Sequence, residues 1–410
     1  MLPALDPKSA VEKDYQEYLN VLQGSAFSGD IEFSYSSRLA MATDNSIYQQ
    51  LPQAVVLPRS TNDLTLLGET ANLFPTVRFS PRGGGTGTNG QSLTSGIVVD
   101  VSRHMNKILE INQEENWVRV QAGVVKDQLN DYLKPFGFFF APDLSTSNRA
   151  TIGGMISTDA SGQGSLVYGK TSDHVLGLTS VLIDGTLLES QPMAIDKAHA
   201  LAQQDSVLGK ITKQLLVTCV DKRQQILAKF PPLNRFLTGY DLQHALNDEL
   251  TQLDISRVIT GSEGSLVFVA EAKLNVTPIA TFKAMVNIKY DSFESALRHA
   301  PHMVAAKATS VETVDSTVLN LAKQDIIWHS IKELIREVPG KEVLGLNMVE
   351  YNSNDQLQIE SQIAELSAEL GQAVEQNKYG VIGFQITYDK AEINKIYAMR
   401  KKSVGLLGKT

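Results

Sequence analysis

The stretch that decides the reading is Pro81-Arg82-Gly83-Gly84-Gly85-Thr86-Gly87-Thr88-Asn89-Gly90, half of it glycine. It follows a short strand-like run, Thr76-Val77-Arg78-Phe79. Glycines this dense let the backbone take φ > 0 and turn successive N–H groups toward one point. Such a nest holds an anion, most often a phosphate. Glycine count alone leaves two readings open: a loop that cradles the pyrophosphate of a dinucleotide, and a glycine-rich surface turn.

The flanking sequence narrows this. Ala54-Val55-Val56-Leu57 reads as a buried strand. Ser60-Thr61-Asn62-Asp63 reads as a capping box with Asp in the acidic place, opening a helix to about Leu73. Val77 to Ser80 is the next strand, so the glycines fall at the carboxyl end of the second strand of a β-α-β unit, where open sheets tend to bind nucleotides. Gly85-Thr86-Gly87-Thr88-Asn89-Gly90 satisfies G-x-G-x-x-G, but that fingerprint needs a helix to start at the glycines. Here Gln91 to Gly96 leads at once into the strand Ile97–Val101, which excludes the Rossmann reading. No Gly-Lys-Ser/Thr follows, which excludes a Walker A loop. The V-A-I-K and H-R-D elements of a kinase are absent. A bare glycine loop that binds phosphate through backbone N–H groups remains.

Bulk properties exclude other classes. The 410 residues suffice for two or three domains, and 42% hydrophobic with 20% charged residues is ordinary for a globular protein. Net charge is −8 without a Lys/Arg block, so nucleic acid is not an expected partner. Cys219 is the only cysteine, which excludes an internal disulfide or a thiolate-built metal cluster in this chain. No apolar run has the length of a membrane span, and residues 1–6 lack the pattern of a signal peptide, so the cytoplasm is the expected location.

Along the rest of the chain, residues 11–22 have helical spacing of apolar residues. Ile108–Ile111 and Trp117–Gln121 read as a hairpin. Val124–Leu133 reads as a helix stopped by Lys134-Pro135. Asp184-Gly185 signals a type I′ hairpin, and Ser206–Leu227 a helix. Val258-Ile259-Thr260 and Leu266–Val276 read as strands around Gly261-Ser262-Glu263-Gly264. Thr277-Pro278 reads as a domain boundary. Beyond it the order is strand 282–290, helix 292–306, strand 310–314, a helical stretch 316–337, strand 344–351, helix 355–376, strand 381–388 and a last helix capped by Asp389. Two β-α-β passes predict a ferredoxin-like α+β domain.

Taken together, Arg82–Gly87, Ala141-Pro142-Asp143, Ala150–Met155, Thr158–Gly162 and Gly261–Gly264 resemble, in order and spacing, the FAD-binding (PCMH-type) domain of the vanillyl-alcohol oxidase superfamily. With Tyr35–Asn45, Asn234–Asp241 and Tyr397-Ala398-Met399-Arg400, the chain is most similar to the N-terminal part of long bacterial FAD/iron–sulfur D-2-hydroxyacid dehydrogenases. The resemblance implies an α+β chain: a helical lead-in over 1–29, a two-subdomain FAD-binding domain over 30–278, and an incomplete ferredoxin-like substrate domain over 279–410. It implies oxidation of a D-2-hydroxy acid such as D-2-hydroxyglutarate or D-lactate by hydride transfer to FAD, with the electron acceptor unspecified. The alternatives are a non-catalytic FAD-binding fragment, and an NADPH-dependent reductase on the same fold.

The resemblance also assigns residues. Arg82, Gly83, Gly84, Gly85, Thr86, Gly87, Thr88, Asn89 and Gly90 are expected to grip the FAD pyrophosphate. Thr86 stands where some relatives carry a flavin-linked histidine, so the FAD is expected to be non-covalent. Pro142, Asp143, Thr146, Thr158 and Gly162 fall in the second FAD-contacting segment. Thr151, Gly153 and Gly154 form a hydroxyl-capped helix start suited to an anion, and Glu263 with Gly264 forms a glycine-bounded carboxylate loop. Arg400 is the expected receptor for the substrate carboxylate, a role its planar fork suits, with a basic cluster at a helix end as the other reading. Val404 stands where some relatives place a substrate-contacting hydroxyl. His299 and His302 are expected to be surface residues rather than metal ligands, and no metal is expected. The family's catalytic histidine motifs and iron–sulfur cysteines are not found in these 410 residues, so the chain is expected to be part of a longer flavoenzyme, weakly active or inactive alone.

Overall fold

The computed structural model describes residues 10–233 and 239–407, with side chains described to residue 402. Asn234 to Thr238 and residues 408–410 lie outside the described residues, and Val404 outside the described side chains. The chain forms two compact units: residues 1–161 with 169–278, and residues 162–168 with 279–410.

In the first unit, α1 (Lys13–Gln23) buries Tyr15, Tyr18, Leu19 and Leu22 in the core. Tyr18 also donates its hydroxyl to the Leu67 carbonyl at 2.9 Å. Each large side chain removed from water in this way contributes about 1.5–3 kcal/mol. Next come β1 (Asp30–Glu32), β2 (Ala54–Leu57), α2 (Thr61–Ala71), β3 (Phe79–Arg82) and β4 (Ile97–Asp100). They build a four-stranded sheet in the order β1-β2-β4-β3, with β2, β4 and β3 parallel and β1 antiparallel at the edge. Ala54, Val56, Ile97 and Val99 join the main core, while Val55, Leu57 and Val98 form a small cluster on the other face. This is the burial of both faces that parallel strands require. Ser60 caps α2 by accepting from the Asp63 amide at 3.2 Å. The reciprocal half of the expected capping box does not form. The buried Asp63 carboxylate instead takes the amides of Arg59 and Ser28, both at 2.8 Å, and so fastens β1's lead-in to α2.

A second sheet is antiparallel throughout: β5 (Ile108–Asn112), β6 (Trp117–Gln121), β7 (Val175–Val181), β8 (Leu187–Ser190) and β9 (Phe268–Asn275), in the order β5-β6-β9-β7-β8. Helices α3 (Lys126–Leu133) and α4 (Ile152–Ser157) lie in the connection between β6 and β7. Two expectations change here. The turn at Asp184-Gly185 is not type I′, because only Gly185 has positive φ, +88°, while the Asp184 carboxylate accepts from the Thr186 amide at 2.9 Å. Val258 and Ile259 belong to a helix, α6 (Ile255–Ile259), because Asp254 caps it on the Ser256 amide at 2.9 Å. A short apolar run fits a buried helix as well as a strand, and the cap decides between them. The predicted helix 206–227 is α5 (Val207–Asp221) followed by a separate short helix, Arg223–Lys229.

The second unit is built on β10 (Phe282–Tyr290), α7 (Phe293–Ala305), β11 (Ser310–Asp315), α8 (Ser316–Gln324), β12 (Gly345–Ser353), α9 (Gln356–Glu375), β13 (Val381–Thr387) and α10 (Lys390–Leu407). Its antiparallel sheet runs β11-β12-β10-β13, which is the second, third, first and fourth strand, the ferredoxin-like order. Strand alternation sends Ala284, Val286, Ile288 and Tyr290 to a core closed by α7 and α9. It sends Met285, Leu346 and Met348 to a second core closed by α8, residues 328–335 and α10. The segment 162–168 joins this unit, and the Tyr168 hydroxyl accepts from Asn352 Nδ2 at 3.4 Å.

Candidate functional site

β3 ends at Arg82, and the chain leaves it as the glycine stretch. Gly83, Gly84, Gly85, Thr86 and Gly87 form one wall of a cavity in the first unit. The backbone amides of these five residues donate to no protein group among the described residues. Gly84 is exposed and the other four are half-buried, so these donors stay open to water or to a ligand in the cavity. A side chain at Gly83 would have no room: a Cβ there would stand 2.0 Å from Thr151 Oγ1. That close approach brings the loop against the start of α4, where Thr151 accepts from the Gly154 amide at 3.3 Å. Gly85 sits at φ +61°, a conformation that turns its amide out of the extended path.

Other predicted residues meet the loop across the cavity. Thr146, Thr151, Gly153, Gly154 and Thr158 line it, as do Glu263 and Gly264. Glu263 has φ +54°, uncommon for a residue with a side chain, and its amide donates to the Ser157 carbonyl at 2.7 Å. The loop before β9 is thus pinned to the end of α4. Apolar wall comes from Val101, Leu144, Met155 and Val267 to Val269, which the sequence reading missed. Nothing in a glycine-motif search signals them, because they are ordinary strand and helix residues brought in by the fold.

Arg82 lines the cavity but spends its guanidinium on the protein. Nη2 donates to the Thr43 carbonyl at 2.8 Å and Nη1 to the Met41 carbonyl and Ser92 Oγ, each at 3.4 Å. The Asn45 amide closes the contact by donating to the Gly85 carbonyl at 3.0 Å. Arg82 therefore staples residues 41–45 to the glycine loop. Thr88, Asn89 and Gly90 do not line the cavity; the Asn89 amide donates to Gln91 Oε1 at 3.1 Å. Pro142 is buried outside it, and Gly162 belongs to the second unit. Asp143 is also outside it, in an ion pair with the buried Lys126 Nζ at 3.0 Å that ties the start of α3 to the loop 142–150.

Directly behind Thr158 and Ala160 lies a buried pair the glycine search did not single out. Asp159, at φ +45°, accepts from Lys170 Nζ at 2.8 Å and from the Ser172 amide at 2.8 Å. The Thr171 amide donates to the Ala160 carbonyl at 3.1 Å. This wall is thus held from behind by charge and backbone bonds.

In the second unit Arg400 Nη2 stands 2.6 Å from Glu312 Oε2 on β11. One turn earlier on α10, Tyr397 donates its hydroxyl to the Glu350 carboxylate. His302 is exposed, as expected, but His299 is buried, at 1% exposure. Its Nδ1 meets the Tyr290 hydroxyl at 2.9 Å, and burial pushes its pKa down to about 4. Among the described residues no group of three or more His, Cys, Asp or Glu could hold a metal ion.

A donor-rich glycine cradle beside a helix start, in a first unit built on a four- and a five-stranded sheet and followed by a ferredoxin-like second unit, fits a dinucleotide-cofactor protein of the PCMH type. Two family models match the chain, the FAD binding domain over residues 52–191 and the C-terminal domain of FAD linked oxidases over residues 279–410. The chain belongs to the FAD-linked oxidase family. It is 55% identical over its full length to a D-2-hydroxyglutarate dehydrogenase of Escherichia coli strain K12, and 57% to one of Pantoea ananatis. In both cases it spans 40% of the relative's own length. A glycolate oxidase subunit, GlcD of Bacillus subtilis, is 29% identical over 75% of the chain and 55% of that protein. The solved structure of an alkyldihydroxyacetonephosphate synthase matches at TM-score 0.68 and 16% identity, over 98% of this chain and 67% of that one, and so shares the fold.

Proposed function

We propose that this chain holds FAD non-covalently in the glycine-lined cavity and belongs to a dehydrogenase that oxidises a D-2-hydroxy acid of the 2-hydroxyglutarate class. The observation that carries the reading is the run of five cavity-lining amides without a protein acceptor, from Gly83 to Gly87. An acceptor with several anionic oxygens, such as a pyrophosphate, satisfies such a run. The family membership supplies the cofactor, and the full-length identity to two D-2-hydroxyglutarate dehydrogenases supports the substrate class. Bound FAD supplies an acceptor for the hydride on C2 of the hydroxy acid.

The chain's own residues bind and orient. Gly83 to Gly87 take the pyrophosphate, with Thr151 and the start of α4 beside it. Arg82 and Asp159 hold the two walls in place. Thr86 offers a hydroxyl rather than an imidazole, so no covalent tether forms there. Arg400 receives a substrate carboxylate through the N–H groups not facing Glu312. We place the reaction in the cytoplasm; among the described residues no helix is long and apolar enough to cross a membrane.

The test is reconstitution followed by anaerobic titration. Purified chain mixed with FAD and gel-filtered retains a yellow, 1:1 complex whose flavin is released by acid. Addition of D-2-hydroxyglutarate then perturbs or bleaches the flavin bands, and L-2-hydroxyglutarate does not. A colourless protein after reconstitution overturns the cofactor reading. A yellow protein blind to every D-2-hydroxy acid overturns the substrate reading for this chain, and bleaching by NADPH instead makes it a reductase.

A further inference from the structure

We infer that Glu312 is a specificity-determining residue at Arg400: it is a resident counter-charge with which any ligand carboxylate has to share the guanidinium. The inference rests on the reading of Arg400 as a carboxylate receptor. Glu312 lies on β11 opposite Met348 of β12, on the sheet face that α10 covers. The Arg400–Glu312 contact is 2.6 Å, and the side chains keep only 27% and 16% exposure. Arg400 has no other polar partner among the described residues. A guanidinium carries five N–H donors, so most of its fork faces no protein acceptor.

The surroundings repeat the charge pattern. Glu350 stands opposite Ser310, two residues before Glu312 on the same face of β11. It takes the Tyr397 hydroxyl and Lys283 Nζ, the latter at 3.3 Å. Arg400 and Lys283 are thus each matched by one carboxylate. A second carboxylate approaching Arg400 gains attraction from the guanidinium and meets repulsion from Glu312 at nearly the same range. A monoanion such as acetate meets that repulsion once, and a dicarboxylate such as 2-hydroxyglutarate meets it with both of its charges. Glu312 therefore lowers carboxylate affinity at Arg400 and discriminates by ligand charge.

Calorimetry of the FAD-loaded chain with acetate, D-lactate and D-2-hydroxyglutarate, at fixed ionic strength, tests this. E312Q keeps the shape and an oxygen acceptor and removes the charge. It should tighten acetate about tenfold and D-2-hydroxyglutarate by at least as much, so that the ratio of the two shifts toward the dicarboxylate. Unchanged or weaker acetate affinity in a folded E312Q protein overturns the inference. R400M separates the two readings: if it binds the hydroxy acids as the parent does, the receptor reading of Arg400 fails. If R400M loses them while E312Q stays silent, only the role of Glu312 fails. Phenylglyoxal modification of Arg400, followed by mass spectrometry, gives a readout that needs no ligand affinity. Freed of its counter-charge, Arg400 in E312Q should react several-fold faster; equal rates with an unchanged circular dichroism spectrum overturn the inference.

Discussion

Gly83 is a residue whose identity the neighbouring chain enforces. With Thr151 Oγ1 2.0 Å from where a Cβ would sit, valine there must displace either the loop or the cap of α4. Both line the cavity. We expect G83V to weaken FAD at least 100-fold, about 2.7 kcal/mol or more, with little loss of far-ultraviolet circular dichroism. Flavin fluorescence quenching measures the first quantity. Retained nanomolar-to-micromolar binding equal to the parent's would show that the loop does not hold the cofactor. His299 is a second residue with a measurable signature. Its pKa lies at about 4 in the fold, against 6.5 in a model peptide, because burial disfavours the imidazolium. The unfolded chain therefore binds the proton first on acidification. The stability this gives is full above pH 6.5 and is lost as the pH falls toward 4, to a limit of roughly 3 kcal/mol. Urea melts at pH 7.5 and pH 4.5 should show the parent losing more stability than H299Q over that interval. Parallel losses would mean that His299 titrates normally.

At the scale of elements, the wall behind the cavity depends on the Asp159–Lys170 pair. Both side chains are more than nine-tenths buried, and the pair joins the end of α4 to the lead-in of β7. Removing one charge leaves the other less compensated, and breaking a buried pair typically costs about 3–5 kcal/mol. Asparagine tolerates the left-handed backbone at 159, so D159N tests charge rather than strain. We expect D159N to lower stability by about 3 kcal/mol and FAD affinity about tenfold, and D159N/K170M to recover much of the stability. A double variant as unstable as the single one would assign the loss to packing. Sequence and structure agree best where elements have strong period and caps. The β-α-β lead into the glycines, the ferredoxin-like strand order and the Asp389 cap were all legible, the last accepting from the Glu392 amide at 2.9 Å. Legibility failed where one local pattern admits two structures. Val258-Ile259-Thr260 could not declare itself helix without Asp254's capping bond, and Asp63 could not reveal that its carboxylate serves Ser28 and Arg59. At the site, glycines and hydroxyl caps were readable because their chemistry is local. The apolar wall, the Lys126–Asp143 tie and the Glu312–Arg400 pair depend on partners 17 and 88 residues apart or on other strands, and no spacing rule reaches them.

For the molecule as a whole, the ligand and the protein carry the same sign of charge. The chain has net charge −8 and no basic funnel in its sequence, while FAD brings an anionic pyrophosphate. On the proposed reading the cavity meets that anion with neutral backbone dipoles, since its arginine, Arg82, is occupied by carbonyls at Met41 and Thr43. Dipole attraction acts at contact range, whereas the repulsion of net charge acts over a Debye length, about 10 Å at 0.1 M salt. Association and dissociation should therefore respond differently to salt. Screening should raise the FAD association rate, by about twofold between 20 and 200 mM sodium chloride, because it removes the long-range repulsion. The dissociation rate should stay nearly constant, because attraction at contact range is little screened by salt. Stopped-flow fluorescence of FAD capture by the apo-protein measures both rates. A cavity that captured its anion through lysines and arginines would show the reverse, an association rate that falls with salt. That result would move the pyrophosphate away from the Gly83–Gly87 amides and onto charged side chains elsewhere in the chain.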